Sequence, residues 1–208
     1  MDERTWFGTA ARGFREVVGG LREERWDDPG LGEWDVRSLL GHTTRAFLTL
    51  ETYLGAAADA NPGGSAPPGP GSAADYFRAA RQGLADPAQV VARGREAGRA
   101  LGDRPARAAL EIAARVAELV DRTPDDAPVA TPVGRMRLVD YLPTRAFELT
   151  VHGIDLARAA GTGVPTDLEA CAGAAVTLAV ELAGPAGAVE VLSAVTGREP
   201  LPEGFSVL

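Results

Sequence analysis

Apolar residues return every three or four positions along most of this chain, and the pattern lapses only where Pro and Gly gather. That spacing constrains the fold more than any other feature. A helix buries one stripe of its surface at this period, whereas a strand alternates every second residue. Trp6, Phe7, Ala10, Phe14, Val17, Val18 and Leu21 predict a first helix over 4–25, stopped by Asp27-Asp-Pro-Gly30. Leu39, Leu40, Phe47, Leu50 and Leu54 predict a second over 35–58, with Asp35 as N-cap and Trp34 packing its start against Leu39.

Further helices are expected over 73–83, 87–101 and 105–121. Residues 129–137 have strand character, enough for a short hairpin or an extended loop. A helix over 138–161 follows, since Pro143 is tolerable only near a first turn. Two more are expected over 167–183 and 186–196. Residues 61–72 form a Pro/Gly/Ser loop expected to be mobile, and 197–208 an irregular tail with two prolines. The sum is an all-α bundle with extra short helices and long loops, read as one domain over 1–208.

Composition removes several function classes. The net charge of −8 argues against binding to nucleic acid or an anionic membrane. No run of 18 apolar residues is present, so no membrane span is expected. The first residues lack a basic and then apolar leader. The single Cys171 allows no internal disulfide and reads as a small buried hydrophobe. Together these features point to the cytoplasm, in a monomer or homodimer. The sequence has no G-x-S-x-G, no P-loop, no G-x-G-x-x-G after a strand and no C-x-x-C.

Only two histidines occur. His152 follows Glu148 by four residues, so the two side chains leave one face of a helix. His42 lies on the second predicted helix, more than 100 residues upstream. If the two helices pack side by side, two imidazoles and a carboxylate can hold a divalent metal with a coordination position open. The same Glu/His spacing also describes an ordinary helix-stabilising pair. Asp155, three residues after His152, can orient that ring. Arg45 and Arg145 lie three residues from a proposed ligand and can hold a substrate carboxylate, or pair with the acids nearby.

Two segments carry a family resemblance. Trp34-Asp-Val-Arg-Ser-Leu-Leu-Gly-His42 and Thr144-Arg-Ala-Phe-Glu-Leu-Thr-Val-His-Gly-Ile-Asp-Leu-Ala157 resemble the two motifs of the mycothiol-dependent maleylpyruvate isomerase family, a branch of the DinB-like bundles. Leu192-Ser-Ala-Val-Thr-Gly-Arg198 and the Leu201-Pro ending are similar to its C-terminal pattern. The resemblance implies a four-helix core running up-down-down-up and zinc on His42, Glu148 and His152. It also implies a low-molecular-weight thiol as cosubstrate, mycothiol in actinobacterial members. The expected chemistry is thiol attack on an electrophile, as a transferase or a cis-trans isomerase. The isomerase itself has an additional C-terminal domain that helps form its substrate site, so maleylpyruvate is not the expected substrate here. A non-haem-iron enzyme on the same ligands and a non-catalytic metal- or small-ligand-binding stress module are the competing readings.

Overall fold

A computed structural model describes residues 1–59, 68–84 and 87–207. Its helices are α1 (Glu3–Gly19), α2 (Val36–Asp59), α3 (Ala73–Leu84), α4 (Pro87–Ala100), α5 (Pro105–Arg122), α6 (Leu138–Ala159) and α7 (Thr166–Val195). Two short strands, β1 (Pro128–Thr131) and β2 (Gly134–Arg137), pair antiparallel ahead of α6. The all-α expectation holds, and the hairpin alternative is the one realised over 129–137. Residues 61–67 of the Pro/Gly/Ser loop lie outside the described residues. Pro68 and Gly69 run beside β2, where Gly69 donates to the Arg135 carbonyl at 2.9 Å.

Four of these helices close a ring: α1 packs on α6, α6 on α2, α2 on α5, and α5 back on α1. The interior is filled by the predicted stripes of the first two helices, with Phe7, Phe14, Leu39, Leu40, Phe47 and Leu50 almost fully buried, and by Leu142, Leu149 and Leu156 of α6. Phe47 meets Phe7 edge-on at 6.0 Å and Phe14 at 5.3 Å between ring centroids, which ties α1 to α2 across the ring's centre.

The helix ends show where sequence and structure part. The first helix stops at Gly19, six residues before the expected end, and a single 3-10 turn follows at Glu23–Arg25. Two adjacent glycines, Gly19 and Gly20, have no side chains to hold the helix against the core, so the backbone leaves it there. Its start is capped by Asp2, whose carboxylate accepts from the Thr5 amide at 2.8 Å. Asp35 caps α2 as expected, accepting from the Ser38 amide at 2.7 Å.

Arginine closes the opposite ends. Arg25 donates to the Ala159 and Ala160 carbonyls that end α6, Arg4 to the Val120 and Thr123 carbonyls that end α5. Helix ends leave carbonyls unpaired, and a guanidinium can reach two at once.

Two helices were expected across 167–196, and α7 is one element in hydrogen-bonding terms with a break inside it. Gly184 has φ 70° and ψ −177°, and Pro185 follows. Only glycine takes that backbone conformation at little cost. Arg78 donates to the Glu181 carbonyl, one of those the break leaves without a helical donor.

α7 bears on the membrane reading without deciding it. It is long and apolar enough to cross a bilayer by length and composition, although no uninterrupted apolar run is present. Scattered Thr, Gly and Glu interrupt the run without offsetting the Ala, Val and Leu around them.

Candidate metal centre

Local packing brings His42 to its place. Gly41 on α2 and Gly98 on α4 meet backbone to backbone: a Cβ added to Gly41 would lie 2.1 Å from the Gly98 nitrogen. One turn earlier on α4, Gly94 leaves room for the Trp34 ring, a Cβ there coming within 2.5 Å of it. Trp34 Nε1 donates to the Val91 carbonyl at 3.0 Å, which fixes the indole. The indole then lies over the His42 ring, with centroids 4.4 Å apart and planes 32° apart. Trp34, expected to pack the start of α2, covers the imidazole.

The second histidine approaches from α6. The His42 and His152 rings are 4.7 Å apart at 84°. His42, Glu148 and His152 each present one donor atom, and the three atoms lie within 4.8 Å of one another. Glu148 Oε2 stands 3.3 Å from His152 Nε2, and Asp155 Oδ2 stands 3.2 Å from His152 Nδ1. Asp155 thus holds the far nitrogen of the ring whose near nitrogen faces Glu148, the expected placement. All four side chains are partly accessible, so the cluster is not sealed.

The protonation states suit a cation. Burial pushes the His42 imidazole down to about 4, with the charge of His152 adding to the effect. Its Nδ1 is buried without a hydrogen-bond partner, an orphaned nitrogen that a bound ion in the cluster would account for. Burial alone would raise the Glu148 carboxyl, but the hydrogen bond and charge of His152 and the charge of Arg145 hold it at about 2. Burial would likewise lower His152, yet Asp155 and Glu148 carry it up to about 9. At neutral pH the cluster is a neutral imidazole, a carboxylate and an imidazolium held between two acids. A divalent ion here would displace the His152 proton and find three donors of zinc-like type.

Below this cluster the α2–α6 contact stays polar. Tyr141, Arg145, Glu148 and His152 fall on one face of α6, and His42, Arg45, Thr49 and Tyr53 on one face of α2. His42 meets His152, Thr49 meets the Arg145 guanidinium at 3.4 Å, and Tyr53 meets Tyr141 at 6.0 Å between centroids. Numbers rise on one helix as they fall on the other, so the two run antiparallel with a polar seam between them. The seam is about 16 Å long at 1.5 Å per residue.

Arg145 is only 8% exposed, gives Nε–H to Thr144 Oγ1 at 2.9 Å, and lies over the Tyr141 and Tyr76 rings at 5.0 and 5.7 Å. Arg45 faces the same seam, and its charge weighs on both His42 and Tyr53. Neither Arg45 nor Arg145 pairs with a carboxylate among the described residues, contrary to the ion-pair alternative. The tyrosines were not singled out by sequence. Tyr141 falls in register with Arg145 and Glu148, which was a readable signal; Tyr76 sits on α3, and nothing in the sequence ties it to α6.

Cys171 is buried as expected, with Sγ 3.8 Å from the Trp6 carbonyl. A cavity of about 650 Å³, lined by Trp6, Pro143, Ala174 and Leu178 among others, opens elsewhere and includes none of the candidate ligands.

The family model of the mycothiol maleylpyruvate isomerase N-terminal domain matches residues 7–157. The chain belongs to that family. The match runs from the second turn of α1 to two residues short of the end of α6, and so takes in His42, Glu148, His152 and the whole polar seam. No curated protein and no solved structure matches the chain. Within the mycothiol maleylpyruvate isomerase N-terminal domain family, then, α7 lies beyond the matched portion.

Proposed function

We propose that this protein is a zinc-dependent enzyme that uses a low-molecular-weight thiol of the mycothiol kind to attack an electrophilic substrate. The outcome is either thiol transfer or cis-trans isomerisation. The observation that carries this reading is the convergence of one donor atom each from His42, Glu148 and His152 within 4.8 Å, on the family-matched part of the chain. A zinc ion held there would stabilise a thiolate at neutral pH, making a nucleophile of a thiol.

The chain's own residues do the rest. Asp155 accepts the Nδ1 proton of His152 and so presents Nε2 toward the cluster. His42, kept neutral by burial under Trp34, offers a lone pair rather than a positive charge. Arg45 and Arg145 supply positive charge beside the nucleophile and orient an acidic electrophile. Cytoplasmic residence and small-molecule partners without nucleic acid belong to the same reading, which the family and the net charge of −8 support.

The test combines metal analysis with turnover. Purified protein is expected to hold close to one zinc per chain, and His42→Ala far less. Mycothiol with an electrophilic bimane should give conjugate only when metal is present. Negligible metal in both proteins, or conjugation indifferent to metal, overturns the proposal. Iron in place of zinc, with oxygen consumed, would turn it toward the non-haem-iron reading on the same ligands.

A further inference from the structure

The cavity of about 650 Å³ away from the histidines has no part in the proposed chemistry, yet α1, α3, α6 and α7 all contribute to its wall. Its volume is that of a small-molecule site. The floor is apolar, with Trp6 from α1, Pro143 from α6 and Leu178 from α7. Its charged side chains are all acids: Glu3, Asp140 and Glu181, one from each of the same three helices. No basic side chain lines it among the described residues. The cations nearby are already engaged. Arg137 gives two N–H groups to Asp140, and Arg78 pairs with Asp75 and donates to the Glu181 carbonyl. Met1 borders the cavity too, and its ammonium is offset by Asp2 next to it. The carboxylates of Glu3 and Glu181 are left without a cation among the described residues. Pro143 has no N–H, so the Val139 carbonyl, also at the border, lacks its helical donor. The wall therefore sets charge of one sign around an apolar floor.

We infer that this cavity binds an aliphatic polyamine. Such a molecule carries several ammonium groups, protonated at neutral pH, with short methylene runs between them. At Glu3 and Glu181, on the exposed rim, the ammonium groups keep part of their water while they pair. The methylenes between them replace water over Trp6, Pro143 and Leu178. A single ammonium would meet one of these acids and leave the other, whereas carboxylates on separate helices suit a chain that reaches both. A spare N–H is then available to the Val139 carbonyl. The net charge of −8 attracts a polycation to the protein as a whole, and the apolar floor localises it here. A simple metal cation gains nothing from that floor. The site shares no residue with the metal centre, so it stands or falls independently of the thiol chemistry. Binding makes and breaks no covalent bond.

The test is calorimetric titration of the full chain with spermidine at low ionic strength. Saturable binding of one spermidine per chain is expected, weakening as salt is added. The uncharged chain 1,8-octanediol should not bind measurably. Glu181→Gln should lose about fivefold or more in spermidine affinity, in keeping with one rim ion pair. Glu118→Gln removes an equally exposed acid on α5, outside the cavity, and should change nothing. Ala170→Trp places a large ring in the mouth from an exposed position that the fold tolerates, and should abolish binding. His42→Ala should bind spermidine as the parent does. Absence of saturable binding overturns the site, as does equal weakening by Glu118→Gln and Glu181→Gln, which would mark a diffuse counter-ion surface. Binding that survives Ala170→Trp, is lost in His42→Ala, or is displaced by an equal concentration of magnesium also overturns it.

Discussion

The contact between α2 and α6 and the outer half of α7 are opposite solutions to the same problem. Both are helical and both are rich in small residues. At the first, the flanking Leu and Phe are sealed and the polar groups between them are paired, stacked or aimed at one another. Beyond Gly184, α7 has no buried residue at all, and Val189, Leu192 and Val195 are more than half exposed. The matched family stops at residue 157, before α7 begins. Apolar character alone thus says little about where a helix sits. What distinguishes the regions is whether large side chains return on one face at helical spacing with another such face opposite.

The sharpest way to break this contrast is to cut one side chain from each region. Phe47→Ala empties a site bounded by Phe7 and Phe14 and is expected to cost about 3–5 kcal/mol. Leu192→Ser, on the exposed half of α7, should stay within about 0.5 kcal/mol. Chemical denaturation of both variants compares them directly. A large loss for Leu192→Ser would mean that the outer half of α7 is covered and the contrast is false.

The next effect probes the close approach on the sealed side. Gly41→Ala puts a methyl group into the α4 backbone, and overpacking of this kind is expected to cost about 1–3 kcal/mol. Because Gly41 adjoins His42, zinc content should fall with it. Gly55→Ala, on the same helix where nothing lies within 4 Å, should be neutral or stabilising. Denaturation midpoints and zinc analysis read both variants.

A smaller change tests the support behind the cluster rather than the packing. Asp155→Asn should leave the fold intact and weaken zinc binding about 10- to 100-fold, because the His152 ring loses the charge that orients it. Competition with a chromogenic chelator measures this, and unchanged affinity would detach Asp155 from the centre.

The smallest expected effect is on pH dependence. The Thr5 backbone and hydroxyl hold the Asp2 carboxyl below its ordinary value of 3.8. Its folded-state pKa is lower than its unfolded one, so its contribution is complete above 3.8 and is lost as pH falls through the lowered value. Asp2→Asn should therefore flatten the acid limb of the stability profile slightly and leave neutral pH almost unaffected. An unchanged acid limb would show that the cap carries no linkage.

Much of this was legible in advance, for reasons that differ by element. α2 was located closely because periodicity reports its buried face, and α6 because Pro143 is tolerated only near a first turn. The break inside α7 was legible because Gly184-Pro185 is a local signal. The end of α1 was not, since the stripe continues through Leu21 and hides the effect of Gly19 and Gly20. Within the site, i,i+4 spacing gave Glu148 and His152, and i,i+3 gave Asp155. Which helix would face them, and in which register, depends on partners that a single stripe does not name. Gly41, Gly94 and Gly98 show this most clearly. As letters they weaken two helices; in the fold they let α4 and Trp34 close over His42.

That closure gives the protein a built-in optical probe. Trp34 is clamped by one hydrogen bond and rests at 4.4 Å on an imidazole whose electronic state would change if the proposed centre gained or lost an ion. Its emission, isolated by replacing Trp6 and Trp26 with phenylalanine, would follow occupancy of the centre in real time without an added dye.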